Sequence, residues 1–184
     1  MLTPADGKEL IAVAKDAVKS YLDKKPYRVP AAIEKKYSDK RGVFVCLKKG
    51  NQERGCIGYI EAEHPIWWAV VNAAKGAAFE DKRFPPTNED ELPDLDFEIS
   101  ILTEPKLLEC PSADRAAYVK IGTHGLIVEK EQYKGALLPQ AFVNLGADVE
   151  SALDMTCERA GLKARDWEND DVSVYTFECQ TFKG

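Results

Sequence analysis

The chain has 184 residues, of which 45% are hydrophobic and 30% charged. That is long enough for one domain with a sizeable core and too short for a multi-domain assembly, and it excludes collagen-like, low-complexity and disordered classes. Twenty-five Lys and Arg against 31 Asp and Glu leave a formal charge of −6, which disfavours broad nucleic-acid binding and an anionic membrane surface but leaves room for a local basic patch.

The first ten residues are polar and acidic where a secretory signal carries positive charge and then an apolar stretch, so a cytoplasmic protein is expected. Thr3-Pro4-Ala5-Asp6 reads as a helix start, with Thr3 as cap and Pro4 at the first helical position. Leu10, Ile11, Ala14, Val18, Tyr21 and Leu22 then form one apolar face for packing on a sheet. The chain is extended between Pro26 and Pro30, and the charged run from Glu34 to Arg41 reads as a solvated loop or short turn. From Val43 the period changes to two, and Lys49-Gly50-Asn51-Gln52 supplies turn chemistry before a second strand from Arg54 to Ile60, giving a hairpin. Pro65 opens an alanine-rich helix that runs to Phe79 and is stopped by the Pro85-Pro86 pair. Its apolar run, Ile66 to Val71, is far below the roughly 20 residues that span a bilayer, so no membrane partner is expected.

Phe97, Ile99 and Ile101 alternate as a strand, and Leu126 to Glu129 and Ala136 to Leu138 read as two more around a Tyr133-Lys134-Gly135 turn. A last helix from Val149 to Ala160 closes with Gly161, and Val172 to Phe182 reads as a final strand. Three helices and short strands without βαβ repetition predict an α+β fold, a sheet packed with helices in two unequal lobes of one compact chain. The expectation is a single domain over residues 1–184 with a smaller lobe around 105–145.

The five cysteines include no C-x-x-C pair, so neither a zinc ribbon nor a thioredoxin-type motif is predicted and a reducing compartment fits them. The sharpest local feature is Arg54-Gly55-Cys56-Ile57-Gly58. Pairing Lys48 with Arg54 sets Cys46 opposite Cys56 and Phe44 opposite Gly58 on one face, with Val43, Val45, Leu47, Ile57 and Tyr59 on the core face. Cys56 then lies beside Arg54 and Lys48, cations that favour a thiolate, and the flanking glycines let a ligand or another backbone approach the sulfur. A purely structural account also stands: the glycines mark a β-bulge and Cys56 is a small packed hydrophobe. A Cys46–Cys56 redox pair is a third possibility, against which stands the rarity of cytosolic disulfides. Cys157 and Cys179 read as packing residues.

Several segments resemble, in order, those of AMMECR-domain proteins: Arg54-Gly55-Cys56-Ile57-Gly58, Asp81 with Arg83-Phe84-Pro85, Glu98-Ile99-Ser100, Gly122 with His124-Gly125-Leu126, Leu138-Pro139-Gln140 and Ala160-Gly161-Leu162. The resemblance implies an α+β domain of two unequal lobes with the arginine-glycine-cysteine segment bordering a cleft, in an essentially uncharacterised family whose members associate genomically with Memo-like and radical-SAM proteins. It implies no known reaction. Glu53 stands where the family usually has leucine, and Asn144-Leu145-Gly146-Ala147-Asp148 lacks a tryptophan common near there.

His124, in a turn-like segment ahead of a strand, can supply an imidazole to Cys56, and Glu98 can orient that ring or act as an acid. The alternative is a histidine bonded to its own turn backbone. Arg54 and Arg83 offer forked donors to a phosphate or carboxylate; for Arg83 the alternative is a salt bridge to nearby Asp81, Glu80 or Glu91. The catalytic candidates are therefore Cys56, His124 and Glu98, and the substrate contacts Arg54, Gly55, Gly58, Arg83 and Gln140. No metal site is assigned, because no ligand pair has zinc-motif spacing, and the cofactor is left open. The function expected is a thiol-dependent enzyme, or enzyme component, acting on a small or nucleotide-like anionic substrate in an interlobe cleft. The alternative is a non-catalytic ligand- or partner-binding module using the same cleft.

Overall fold

In the computed structural model, which describes residues 2–184, the elements in chain order are α1 (Pro4–Leu22), α2 (Ala31–Lys36), β1 (Val43–Lys49), β2 (Gln52–Tyr59), α3 (Ile66–Phe79), β3 (Leu95–Leu102), β4 (Lys106–Leu107), β5 (Gly125–Lys130), β6 (Tyr133–Leu137), α4 (Pro139–Leu145), α5 (Val149–Ala160), β7 (Ser173–Phe177) and β8 (Cys179–Lys183), with three short 3-10 turns between them. The fold is α+β, with two antiparallel four-stranded sheets in the orders β2-β1-β3-β8 and β4-β7-β5-β6. The contacts divide the chain into two units: one ends at Leu102 and takes back Gln180–Gly184, and the other is Thr103–Cys179. No helix among the described residues is long and apolar enough to cross a membrane.

Helix α1 starts where its cap chemistry dictates. Thr3 Oγ1 accepts the Asp6 N–H at 3.2 Å and the Asp6 carboxylate accepts the Thr3 N–H at 2.7 Å, a reciprocal capping box. Thr3→Ala should therefore lower stability by about 1 kcal/mol in urea unfolding. Leu10, Ile11, Ala14 and Val18 are buried as the periodicity predicts, whereas Tyr21 is 57% exposed and stacks on Phe79 with ring centroids 4.3 Å apart. Helix α2 forms where the charged run reads as a loop, and tertiary contacts explain it. Tyr37, just beyond α2, is buried with its hydroxyl 2.5 Å from Glu9 Oε2, and the Lys36 ammonium bridges Asp6 (2.8 Å) and Glu9 (2.7 Å) on α1. Lys36 holds both carboxyls below their ordinary range.

The first core lies between the sheet and two helices. Val43, Val45 and Leu47 of β1 pair with Ile101, Ile99 and Phe97 of β3 and point at α1 and α3, where Ala69, Val70, Ala73, Ala74 and Ala77 keep the helix surface low. Small side chains let α3 approach β2 so closely that a Cβ on Gly55 would sit 2.0 Å from the Ala77 carbonyl oxygen.

In the second unit Leu126, Val128 and Val174 of the sheet pack with Phe142, Leu153, Cys157 and Trp167. Arg115 is buried and donates to the carbonyls of Trp167, Asn169 (3.1 Å) and Val172 (2.7 Å). Helix α5 matches its expected bounds and ends on Gly161 with φ +85°. Three readings change. Tyr133-Lys134-Gly135 belongs to β6 and the chain reverses at Glu131, whose φ is +52°; Gly135 is small because α5 passes over it, with a Cβ there 2.3 Å from the Ala160 nitrogen. The final strand breaks at Glu178, so that β7 and β8 serve different sheets. Helix α4, with Pro139 at its first position and Gly146 left-handed at its end, buries only Pro139 and Phe142, too few apolar positions to show a period.

Candidate functional site

The Arg54–Gly58 segment forms β2, the outer strand of the first sheet. Cys56 is opposite Cys46 and Gly58 opposite Phe44, as the alternation predicts, but Lys48 faces Glu53 and not Arg54. The register shifts between Leu47 and Lys48, leaving Arg54 as the extra residue of a bulge. Direct opposition puts both sulfurs on one face, where Cys46 and Cys56 are joined by a disulfide with their Cα atoms 4.0 Å apart. Cys56 is thus not a free thiol here. Cys46 is buried and Cys56 half-buried.

Cys46 also pairs with Glu98 across β3, so Cys56, Cys46 and Glu98 stand in one row across three strands. Glu98 is only 3% exposed, and its Oε2 accepts from Lys48 Nζ at 2.9 Å and lies 3.2 Å from Lys183 Nζ. Two ammonium groups thus compensate the charge of this buried carboxylate. One step along the strands, Ser100 and Thr181 hydroxyls meet at 3.1 Å.

As an edge strand, β2 has outward N–H groups with no neighbouring strand to accept them. Asp81, two residues past the end of α3, takes that of Cys56 on Oδ2 at 2.9 Å. The same carboxylate accepts the Arg83 N–H (3.1 Å), Nε (3.0 Å) and Nη2 (2.7 Å). The Arg83 guanidinium, together with the N–H groups of Cys56 and Arg83, holds the Asp81 carboxyl down to about 2 despite the opposing effect of burial.

Both arginines are paired with carboxylates. Arg83 also reaches Glu53 at 2.7 Å, and Arg54 grips Glu91 through Nε (2.6 Å) and Nη2 (2.9 Å), leaving its Nη1 buried without a partner. The Phe84 ring is within cation–π reach of both guanidiniums, 6.0 Å from Arg54 and 5.1 Å from Arg83. The glycines face protein: Gly55 meets the α3 backbone, and a Cβ on Gly58 would be 2.3 Å from the Phe44 ring.

His124 and Gln140 belong to the second unit. His124 Nδ1 accepts the Lys120 N–H at 3.2 Å and its own N–H donates to Lys120 O at 2.9 Å, the turn-backbone arrangement. With Nδ1 accepting, the neutral ring carries its proton on Nε2. Gln140 is the second residue of α4. Among the described residues no group of three or more His, Cys, Asp or Glu is arranged to hold a metal ion. Burial pushes the Cys157 thiol up to about 11 and that of Cys179 to about 12, which keeps both as thiols. His64 stacks on Trp68 with centroids 3.9 Å apart.

Sequence reasoning passed over the Asp81 bond to Cys56 and the ion pair between Arg54 and Glu91. The first has a readable signal, an Asp-x-Arg at a proline-stopped helix end beside an edge strand; the second joins residues 37 apart and has none.

The AMMECR1 family model matches residues 11–182. A protein of Methanothermobacter thermautotrophicus is 40% identical over 183 residues, covering 98% of this chain and 95% of its own, and one of Aquifex aeolicus is 37% identical over 180 residues, covering 97% and 92%. The crystal structure of an uncharacterized protein from Pyrococcus horikoshii, 39% identical, aligns with a TM-score of 0.93 over 96% of this chain and 90% of that one.

Proposed function

The chain belongs to the AMMECR1 family, and from that premise we propose that its chemical centre is the Cys46–Cys56 pair, working by thiol–disulfide exchange with a thiol-bearing substrate. The observation that carries the reading is the placement of the two sulfurs on one face, bonded to each other, with Cys56 half-buried and Cys46 buried. A substrate thiolate attacks Cys56 Sγ; the bond to Cys46 breaks and its electron pair stays on Cys46 Sγ, which takes a proton from solvent. A second substrate thiolate attacks the substrate sulfur of the mixed disulfide and Cys56 leaves as thiolate, to be protonated in turn. Two substrate thiols become one disulfide, and the two electrons and two protons they lose appear on the cysteine pair.

Lys48, on the Cys46 face and held by Glu98, sets positive charge on the side where the leaving thiolate forms. Arg54, Arg83 and Asp81 serve in this reading as braces of the strand and not as anion contacts, since each guanidinium is paired with a carboxylate. His124 has no part in this reading, since its Nδ1 is taken by the Lys120 N–H of its own turn.

The test uses Cys46→Ser with glutathione disulfide as the probe. Cys56 should take up one glutathione at least about tenfold faster than Cys157 or Cys179 in the folded protein, read by peptide mass mapping. Uptake at Cys56 no faster than at those two thiols overturns the proposal. The second reading, a non-catalytic binding module in which the disulfide only staples β1 to β2, draws on the Asp81 and glycine contacts that immobilise the strand. It predicts that the wild-type pair stays oxidised through equilibration with excess reduced glutathione.

A further inference from the structure

At the C-terminal end of α1 lies a groove of about 560 Å³ lined by Tyr21, Leu22, Lys24, Lys25, Phe79 and Thr87, within the size range of small-molecule sites. We propose that this groove binds an aromatic anion, its planar ring lying against the Tyr21–Phe79 pair and its phosphate or carboxylate group held by Lys24 and Lys25.

Three separate observations carry the assignment. The first is the aromatic pair. Tyr21 and Phe79 are stacked at 4.3 Å with their planes 27° apart, yet Tyr21 remains 57% exposed, so a flat π surface already built by the fold is left uncovered. A ring placed there extends the stack, an interaction that tolerates any planar heterocycle.

The second is Lys24. Helix α1 ends in a paired 6→1 and 5→2 hydrogen-bond motif, Lys25 N–H to Ser20 O at 2.8 Å and Lys24 N–H to Tyr21 O at 3.1 Å, which puts Lys24 in the left-handed region at φ +54°. Helices α4 and α5 end on left-handed Gly146 and Gly161. A lysine at such a position carries backbone strain that glycine avoids. Its ammonium forms no ion pair among the described residues, and Lys25 pairs only with the exposed Asp23, at 3.2 Å. In a chain of net charge −6 these two lysines form the local basic patch that the composition leaves room for.

The third is Thr87. It is 4% exposed, lines the groove, and its hydroxyl is buried with no hydrogen-bond partner. A buried hydroxyl without a partner carries a desolvation penalty that a polar atom of a bound ligand removes. An aromatic face, a strained unpaired cation and an unsatisfied hydroxyl together match a ligand with a planar ring, a negative group and a hydrogen-bonding edge.

The test is calorimetric titration of the full chain with AMP and, separately, with 4-hydroxyphenylacetate, using adenosine and inorganic phosphate as half-ligands. At least one aromatic anion should bind, and each half-ligand should bind at least about tenfold more weakly than AMP if the phosphate is the anion recognised. Lys24→Gly should raise the melting temperature by relieving strain and weaken binding about tenfold, opposite effects that a merely structural residue does not give. Thr87→Val should fold at least as stably as wild type and weaken binding several-fold. Failure of both aromatic anions to bind at millimolar concentration, or binding unchanged in both Lys24→Gly and Thr87→Val, overturns the proposal. Binding of only one probe identifies which anion the lysines take.

Discussion

Gly55→Ala is expected to destabilise the protein by about 3 kcal/mol, measured as a fall in the urea midpoint at unchanged slope. The added methyl would lie 2.0 Å from the Ala77 oxygen and 3.0 Å from its carbonyl carbon. These are backbone atoms inside α3, which cannot swing aside as a side chain can, so strand and helix must separate over a core packed at crystal-like density. Two other glycines calibrate the expectation. A Cβ on Gly58 meets the Phe44 ring as well as the Val43 oxygen, so part of its clash can be relieved by a ring rotation. Gly50, at φ +60° with nothing within 4 Å, should lose only about 1 kcal/mol on mutation to alanine, from backbone conformation alone. If Gly55→Ala unfolds at the wild-type midpoint, the close approach of α3 to β2 is not what fixes the position of the cysteine strand.

Asp81→Ala should lower stability by about 3 kcal/mol, because it orphans the Cys56 N–H and uncouples the Arg83 guanidinium at once. The pH dependence gives an independent check. The Asp81 carboxyl is held down to about 2 in the folded chain against an ordinary value of 3.8. A group whose folded value is depressed contributes stability above its unfolded value, and that contribution is lost as pH falls through the folded one. The Asp81 share should thus be complete above about pH 4 and disappear between about pH 4 and pH 2. Asp81→Asn, which keeps an acceptor for Cys56 but not the charge, should unfold at a lower urea midpoint near neutrality and show a flatter acid limb over that window. An acid limb identical to wild type would mean that Arg83 finds Glu53 sufficient.

How far the fold could be read in advance depended on whether each element carries its own signal. Helix α1 carries a cap and an apolar stripe and helix α5 a glycine stop, and those signals place the two helices. Helices α2 and α4 are short and draw their stability from partners distant in sequence, Lys36 and Tyr37 from α1 and Phe142 from the second core. The apposition of Cys46 and Cys56 was legible because period-two alternation fixes a face. The bulge at Arg54 was not, since inserting one residue near the turn leaves the inner pairs unchanged. The same limit applies to the candidate site. Residue type marked Arg54 and Arg83 as anion binders; the Asp81 partner of Arg83, two residues away, was readable as the alternative, whereas Glu91 and Glu53 reach the arginines only through folding.

The return of Gln180–Gly184 to the first sheet has a kinetic consequence. Gly184 and Phe97 exchange two backbone hydrogen bonds, N–H to O at 2.8 and 3.0 Å, so the last strand closes on β3 across everything from Thr103 to Cys179. For a shapeless loop of that length, closure entropy would oppose the step by roughly 4 kcal/mol. The intervening segment is not shapeless: Thr103 and Glu178 are tied by N–H to O and N–H to Oγ1 bonds, both 2.9 Å, which bring its entry and exit side by side. A segment that organises itself first turns a long-range encounter into a nearly local one. The expected order of assembly follows from the connectivity: amides of the inserted part should gain exchange protection during refolding before the Phe97–Gly184 bonds that complete the sheet bearing the cysteines.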